Sequence, residues 1–248
     1  MYKLSVAISP ERTEFGPLLF AGNIEEGTKN AAQLGFSAVE LSLRDSDSLD
    51  REKIISLLEK NNLKVSTIAT GQSYYKDGFR LCIKEVAKRR KVIQRLKGHM
   101  RFASELGAQV IIGGIRGTFE GISWRDPVPH KLYQATLDSI KESLEYASKY
   151  GVILALEPIN RYETNFINTA EEALELVGKL KADNFKILLD TFHMNIDEPD
   201  LKKAILKTGK YLSCIHFADS NRFAPGMGHI DFRDVYCSLK KINYQGYI

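Results

Sequence analysis

Short apolar runs recur along the chain, each closed by glycine, proline or a charged residue and each followed by a longer amphipathic stretch. Leu4-Ser5-Val6-Ala7-Ile8 reads as a first strand ending at Ser9-Pro10. After a loop to Asn23, the spacing predicts a helix from Ile24 to Leu34, stopped by Gly35. Ala38 to Leu41 is a second strand, Arg51 to Asn61 a helix, and Lys64 to Ala69 a third strand broken by Gly71. A long helix runs from Ile83 to Leu106, with Val86, Ile93, Leu96, Met100 and Ala103 on its inward face. Gln109 to Ile112 is a fourth strand, a loop continues through Asp126, and Pro129 to Tyr150 is helical. Val152-Ile153-Leu154-Ala155-Leu156 has no alternating polar residue, so it reads as a fifth strand buried on both faces. Ala170 to Leu180 is helical, with Thr169 and Glu172 at capping-box spacing. Lys186 to Leu189 is a sixth strand, Asp200 to Lys207 a short helix, and Tyr211 to Ile215 a seventh strand. Asp231 to Lys241 is helical, and Gly246-Tyr247-Ile248 reads as the entry to an eighth strand.

Seven strand–helix units and the start of an eighth predict an α/β chain folded as a (β/α)₈ TIM barrel, one domain over residues 1–248. A doubly wound open sheet shares the alternation. Its dinucleotide fingerprint is missing, because Gly113-Gly114-Ile115-Arg116-Gly117 is not GxGxxG.

Composition narrows the class. With 44% hydrophobic and 27% charged residues, the 248-residue chain is that of a globular protein able to bury a large core. A net charge of +4 is compatible with anionic substrates and too small to imply nucleic acid. The run Lys88-Arg89-Arg90-Lys91 reads as a solvated helix face. Cys82, Cys214 and Cys237 are scattered and odd in number, which argues against a disulfide framework or a cysteine zinc site. Met1 to Pro10 has no signal-peptide pattern and no stretch reaches transmembrane length, so a cytoplasmic protein without membrane contact is expected.

The chemistry gathers where strands end. Glu157 follows the fifth strand, and Pro158 biases it toward extended backbone, so its carboxylate sits at a strand tip. Asp190 ends the sixth strand and His216 the seventh. A lone acid at a strand end can cap a helix or pair with a lysine. Three metal-type residues on successive tips converge on the barrel mouth where active sites of this fold lie. Two carboxylates and an imidazole suit Mn²⁺, Mg²⁺, Co²⁺ or Zn²⁺. Beside them, Arg222 can fork onto a substrate oxygen, and His193 can polarise a carbonyl or serve as a structural histidine. His229 and Asp231 are expected to organise their loop and cap the last helix. Arg116, Arg161 and Arg222 are each available to a phosphate or to an ordinary ion pair.

The segments Glu157-Pro158-Ile159-Asn160-Arg161-Tyr162-Glu163, Asp190-Thr191-Phe192-His193-Met194-Asn195 and His216 through Asp231 resemble the xylose-isomerase-like superfamily of divalent-metal barrels. Within it they resemble the D-tagatose 3-epimerase and D-psicose (allulose) 3-epimerase family. The resemblance implies a metal site of Glu157, Asp190 and His216, with Mn²⁺ as the ion, and sugar contacts from Glu163, His193 and Arg222. It also implies that Glu157 is one of two catalytic carboxylates. One removes the proton from C3 of a ketose, the second returns a proton on the opposite face, and the metal stabilises the enediolate between. The implied partner is a small ketose or ketose phosphate, with no nucleic acid and no membrane, and a homo-oligomer is expected.

The family's second catalytic Glu, also its fourth ligand, belongs to strand eight and would fall about three residues past Ile248, a distance set by the family's spacing from His216. The sequence as given therefore reads as a barrel with its eighth strand and last helix cut off. Strands one and seven are expected to expose edges, leaving the chain poorly soluble and inactive as an epimerase. The functional polypeptide is expected to extend beyond Ile248 with that Glu and a final helix. Two other functions remain open: an apurinic endonuclease of the endonuclease IV type, and a catalytically inactive sugar-binding barrel.

Overall fold

A computed structural model of the chain describes residues 2–13, 18–123 and 126–248. Met1 and parts of the loops expected before Asn23 and through Asp126 lie outside the described residues. The strands are β1 (Ser5–Ser9), β2 (Phe20–Ala21), β3 (Ala38–Ser42), β4 (Lys64–Ala69), β5 (Gln109–Ile112), β6 (Leu154–Leu156), β7 (Phe185–Asp190) and β8 (Leu212–His216). The helices are α1 (Ile24–Gln33), α2 (Arg51–Lys60), α3 (Gly71–Asp77), α4 (Val86–Leu106), α5 (His130–Lys149), α6 (Ala170–Leu180), α7 (Thr191–Asp197), α8 (Leu201–Thr208) and α9 (Phe232–Lys241). All strand pairs are parallel, in the order β2-β1-β3-β4-β5-β6-β7-β8. This is the curled sheet of a TIM barrel, with β2 an added two-residue strand on the free side of β1.

The ends of the sheet are joined by Tyr247 and Ile248. Tyr247 bridges both Lys3 and Cys214. The Ser5 amide donates to the Ile248 carbonyl at 2.8 Å, and the Ile215 amide to the Tyr247 carbonyl at 3.3 Å. Gly246-Tyr247-Ile248 thus stands at the eighth-strand position. The expected bare edge of β1 is instead paired on its first half by Ile248 and on its second half by β2, and the edge of β8 is met by Tyr247.

Burial separates the two faces of the sheet. The main core, including Val39, Leu41, Val110, Ile112, Leu154, Leu156, Ile187 and Leu189, lies between strands and helices. A second, small cluster of Ile111, Ala155, Leu188 and Cys214, with Ala69 against it, takes one residue from each of five adjacent strands. These alternate with the first set, so they face the barrel interior. They form a floor, and Gly113, Glu157, Asp190 and His216 each follow a floor residue by two positions.

Local chemistry fixes the ends of the helices. The Thr169 hydroxyl accepts from the Glu172 amide while the Glu172 carboxylate accepts from the Thr169 amide, the anticipated capping box. Asp231 caps α9 through the Arg233 and Asp234 amides. The Lys88–Lys91 segment is taken up by ion pairs and a carbonyl contact: Lys88 with Glu85, Arg90 with Glu142, Arg89 with the Ile83 carbonyl. Two short helices, α3 and α7, begin directly at strand ends and were not marked by periodicity. No helix among the described residues is long and apolar enough to cross a membrane.

Candidate active site

Glu157, Asp190 and His216 stand at the C-terminal ends of β6, β7 and β8, as their spacing from the floor requires. The His216 Nδ1 lies 3.8 Å from the Glu157 Oε1 and 3.7 Å from the Asp190 Oδ2. The three predicted ligand side chains are therefore brought together at one mouth. Thr191 ties the neighbouring tips, its hydroxyl donating to the Ala218 carbonyl at 2.6 Å and accepting from the Ala218 amide at 3.0 Å. Asp190 also caps α7, one oxygen accepting from the Phe192 amide at 2.8 Å.

A third acid enters from another strand. Glu40, buried on β3, lies 2.9 Å from the His216 Nε2 and accepts from the Thr67 hydroxyl at 2.6 Å. Strand-tip reasoning missed it because Glu40 sits within a strand. The signal was present, since it is the one acid inside the apolar run Ala38-Val39-Glu40-Leu41. Burial pushes the Glu40 carboxyl up, but His216 and Thr67 outweigh burial and hold it below its ordinary value. Burial also opposes charge on Asp190, and the neighbouring His216 and His193 bring it below the usual range. Burial dominates at Glu157, which stays above the usual carboxylate range despite both histidines. His216 is pushed down by burial and, more strongly, up by Glu40 and Asp190, ending well above an ordinary imidazole.

One imidazole facing three buried carboxylates leaves the cluster rich in hard anionic donors, a set that fits a divalent cation. Glu157, Asp190 and His193 also offer ligand atoms within 4.8 Å of one another. Distance alone therefore admits either imidazole as the third donor. Gly113 leaves room for the cluster, since a Cβ there would clash with the Glu157 Oε2.

Glu163, His193 and Arg222 form a connected group beside this centre. The Glu163 Oε1 accepts from the Asn160 Nδ2 and from the Arg222 Nη1, both at 3.1 Å, and its Oε2 accepts from the Tyr75 hydroxyl at 3.1 Å. The Arg222 guanidinium lies over the Phe192 ring, 4.8 Å from its centroid. A small cavity borders Glu163 and is lined by Tyr74, Tyr75, Gly114, Thr118 and Ile159. Burial, followed by Glu163, pushes the Tyr75 phenol up to about 12. Tyr75 and Tyr74 come from α3, a helix without an apolar period, so no local pattern marks them for this site.

The three arginines considered for a phosphate are all engaged. Arg116 is fully buried and donates to the carbonyls of Gly113, Glu157, Phe166 and Ile167, which makes it a brace for the Glu157 loop. Arg161 pairs with Asp197 at 2.6 Å, and Arg222 with Glu163.

A parallel barrel with carboxylates and an imidazole gathered at its C-terminal mouth is the TIM-barrel enzyme arrangement, with a donor set that fits a divalent cation. Residues 28–248 match the family model described as "Xylose isomerase-like TIM barrel", and the chain belongs to that family. It is 28% identical over 247 residues to an L-ribulose 3-epimerase of Methylomonas sp. (strain DH-1), covering 96% of this chain and 83% of the relative. It is 30% identical over 226 residues to a ketose 3-epimerase of Arthrobacter globiformis, covering 91% of this chain and 76% of the relative. The fold superposes on a crystal structure of a D-allulose 3-epimerase from Methylomonas sp. with a TM-score of 0.83 at 25% identity, covering all of this chain and 83% of that one.

Proposed function

We propose that this isomerase-class chain is a divalent-metal-dependent 3-epimerase of free ketoses. The carrying observation is the convergence of Glu157, Asp190 and His216 beside the linked group Glu163, His193 and Arg222. Similarity to named 3-epimerases over nine-tenths of the chain supports the same reading.

The hydrogen on C3 of a ketose is acidified by the neighbouring carbonyl. Glu157 is the group assigned to hold that proton on one face, as general base or general acid according to direction. Arg116 anchors its backbone carbonyl at 2.6 Å, which limits how far the carboxylate can wander from its aim. Glu157, Asp190 and the Nδ1 of His216 would hold Mn²⁺, Co²⁺, Mg²⁺ or Zn²⁺, because the His216 Nε2 faces Glu40. Such an ion would supply Lewis-acid stabilisation of the charge that builds up beside the carbonyl. Arg222, Glu163 and His193 bind and orient the sugar oxygens. Their pairing, and the commitment of Arg116 and Arg161 elsewhere, favours an unphosphorylated sugar.

The test is a screen of free and phosphorylated ketoses with each of the four metals, read by hydrogen exchange at C3 and by change in sugar composition. Exchange confined to free ketoses and abolished by a chelator is the expected result. Exchange with phosphorylated ketoses alone, or none with any metal, would overturn the proposal.

A further inference from the structure

Asn160 is almost fully buried and makes three hydrogen bonds through its side-chain amide. Its Oδ1 accepts from the Tyr162 amide at 3.0 Å. Its Nδ2 meets the Glu163 Oε1 at 3.1 Å and the His193 Nδ1 at 2.8 Å. Flipping the amide would turn its nitrogen toward the Tyr162 N–H and its oxygen toward the Glu163 carboxylate, two repulsive contacts at an almost fully buried amide. The orientation is therefore fixed, and the nitrogen is a donor on both remaining sides. An amide N–H₂ cannot accept, so the His193 Nδ1 must accept, and the proton of the neutral ring resides on Nε2.

We propose that Asn160 is a positioning residue that locks His193 in the Nε2–H tautomer. This makes His193 a hydrogen-bond donor to substrate oxygen and keeps it from serving as a metal ligand. The proposal rests on the reading above, in which His193 contacts the sugar. It answers the ambiguity left by distance, because His193 stands as near to Glu157 and Asp190 as a ligand would. Across the site His216 is held in the reverse sense, with its Nε2 toward Glu40 and its Nδ1 toward the cluster. The two imidazoles thus take different duties because different residues hold them. Asn160 also sits between two of the substrate residues, so a single amide sets both the Glu163 carboxylate and the His193 ring.

The test reads the ring nitrogens by ¹⁵N–¹H correlation in ¹⁵N-histidine-labelled protein with Mg²⁺ present, His193 being assigned by loss of its signals in His193→Gln. The expected wild-type pattern is a protonated Nε2 and a bare Nδ1. Asn160→Asp replaces the donor with an acceptor and is expected to move the proton to Nδ1, with kcat falling roughly 10²- to 10⁴-fold, the scale on which a wrong histidine tautomer acts in a catalytic triad. Asn160→Ala, which adds no charge, is expected to show both tautomers in exchange. A proton on Nδ1 in the wild type overturns the proposal, as does an unchanged Nε2–H pattern in either folded variant. The nitrogen signals do not depend on turnover, so this outcome stays separate from failure of the epimerase assignment.

Discussion

At Gly113 one methyl group separates a working geometry from a blocked one. A Cβ at this position would clash with the Glu157 Oε2, lying closer than any real Cβ contact. Gly113→Ala is therefore expected to displace Glu157 and lower kcat by about 10²-fold, the cost of a misplacement near 1 Å. Its thermal unfolding should move far less than its rate. Arg222 acts at longer reach. Arg222→Ala removes one charged hydrogen-bond donor from the Glu163 group and should cost roughly 10- to 10²-fold in kcat/KM. Metal content of the purified variant should stay unchanged, since Arg222 is assigned to the sugar. Loss of bound metal, read by elemental analysis, would contradict that assignment. Single residues were also where the sequence was most and least informative. Glu157, Asp190 and His216 stood out because each ends an apolar run. Glu40 and Asn160 did not, because their partners lie 176 and 33 residues away in the chain.

Elements bring those partners into reach, and the loop that carries Arg222 shows how. Arg222 has a left-handed backbone, φ 65°, unusual for a residue with a side chain. The conformation is held by Asp219, fully buried, whose carboxylate accepts from the amides of Ser220, Gly226 and Ile230 at 2.7, 2.8 and 3.1 Å. Burial opposes its charge, but these amides prevail and keep the carboxyl well below its ordinary value. Asp219→Asn should speed hydrogen exchange of the Gly226 and Ile230 amides roughly threefold to tenfold, the worth of one hydrogen bond. Unchanged exchange would show that the loop is held otherwise. On α4, His99 is buried between the hydroxyls of Ser46 at 2.6 Å and Ser73 at 3.2 Å, joining α4 to the loop after β3 and to α3. Burial, then Arg95, pushes its pKa down to about 3. The unfolded chain takes up this proton at a higher pH than the folded one. Stability from His99 is thus complete above the ordinary histidine value near 6.5 and is lost as pH falls toward about 3. Denaturant unfolding should show this slope between those limits, and His99→Gln should flatten it. The helix α3 that Ser73 anchors was illegible in sequence, because seven mostly polar residues directly after a strand carry no apolar period. The same holds for α7, whose Asp190 cap was read only as a strand tip.

For the whole molecule, alternation of apolar runs and amphipathic stretches was enough to indicate a parallel barrel, since strands buried on both faces have little room for polar residues. Closure was legible only as far as Gly246-Tyr247-Ile248 reading as the entry to an eighth strand. It depends on Tyr247 and Ile248 reaching Lys3, Ser5 and Ile215, contacts between chain ends that no local pattern encodes. The barrel then does for the site what no loop could, placing side chains at the ends of β6, β7 and β8 and from β3 around one point above the apolar floor of Ile111, Ala155, Leu188 and Cys214. The central claim is that Glu157 moves the proton of C3 of a free ketose. The most direct measurement follows that carbon by NMR in D₂O with Mg²⁺ and D-allulose, D-tagatose or L-ribulose. The account predicts deuterium entering at C3, dependent on the metal and lost in Glu157→Gln. Absence of exchange at C3 in all three sugars with metal bound, or undiminished exchange in Glu157→Gln, would contradict it.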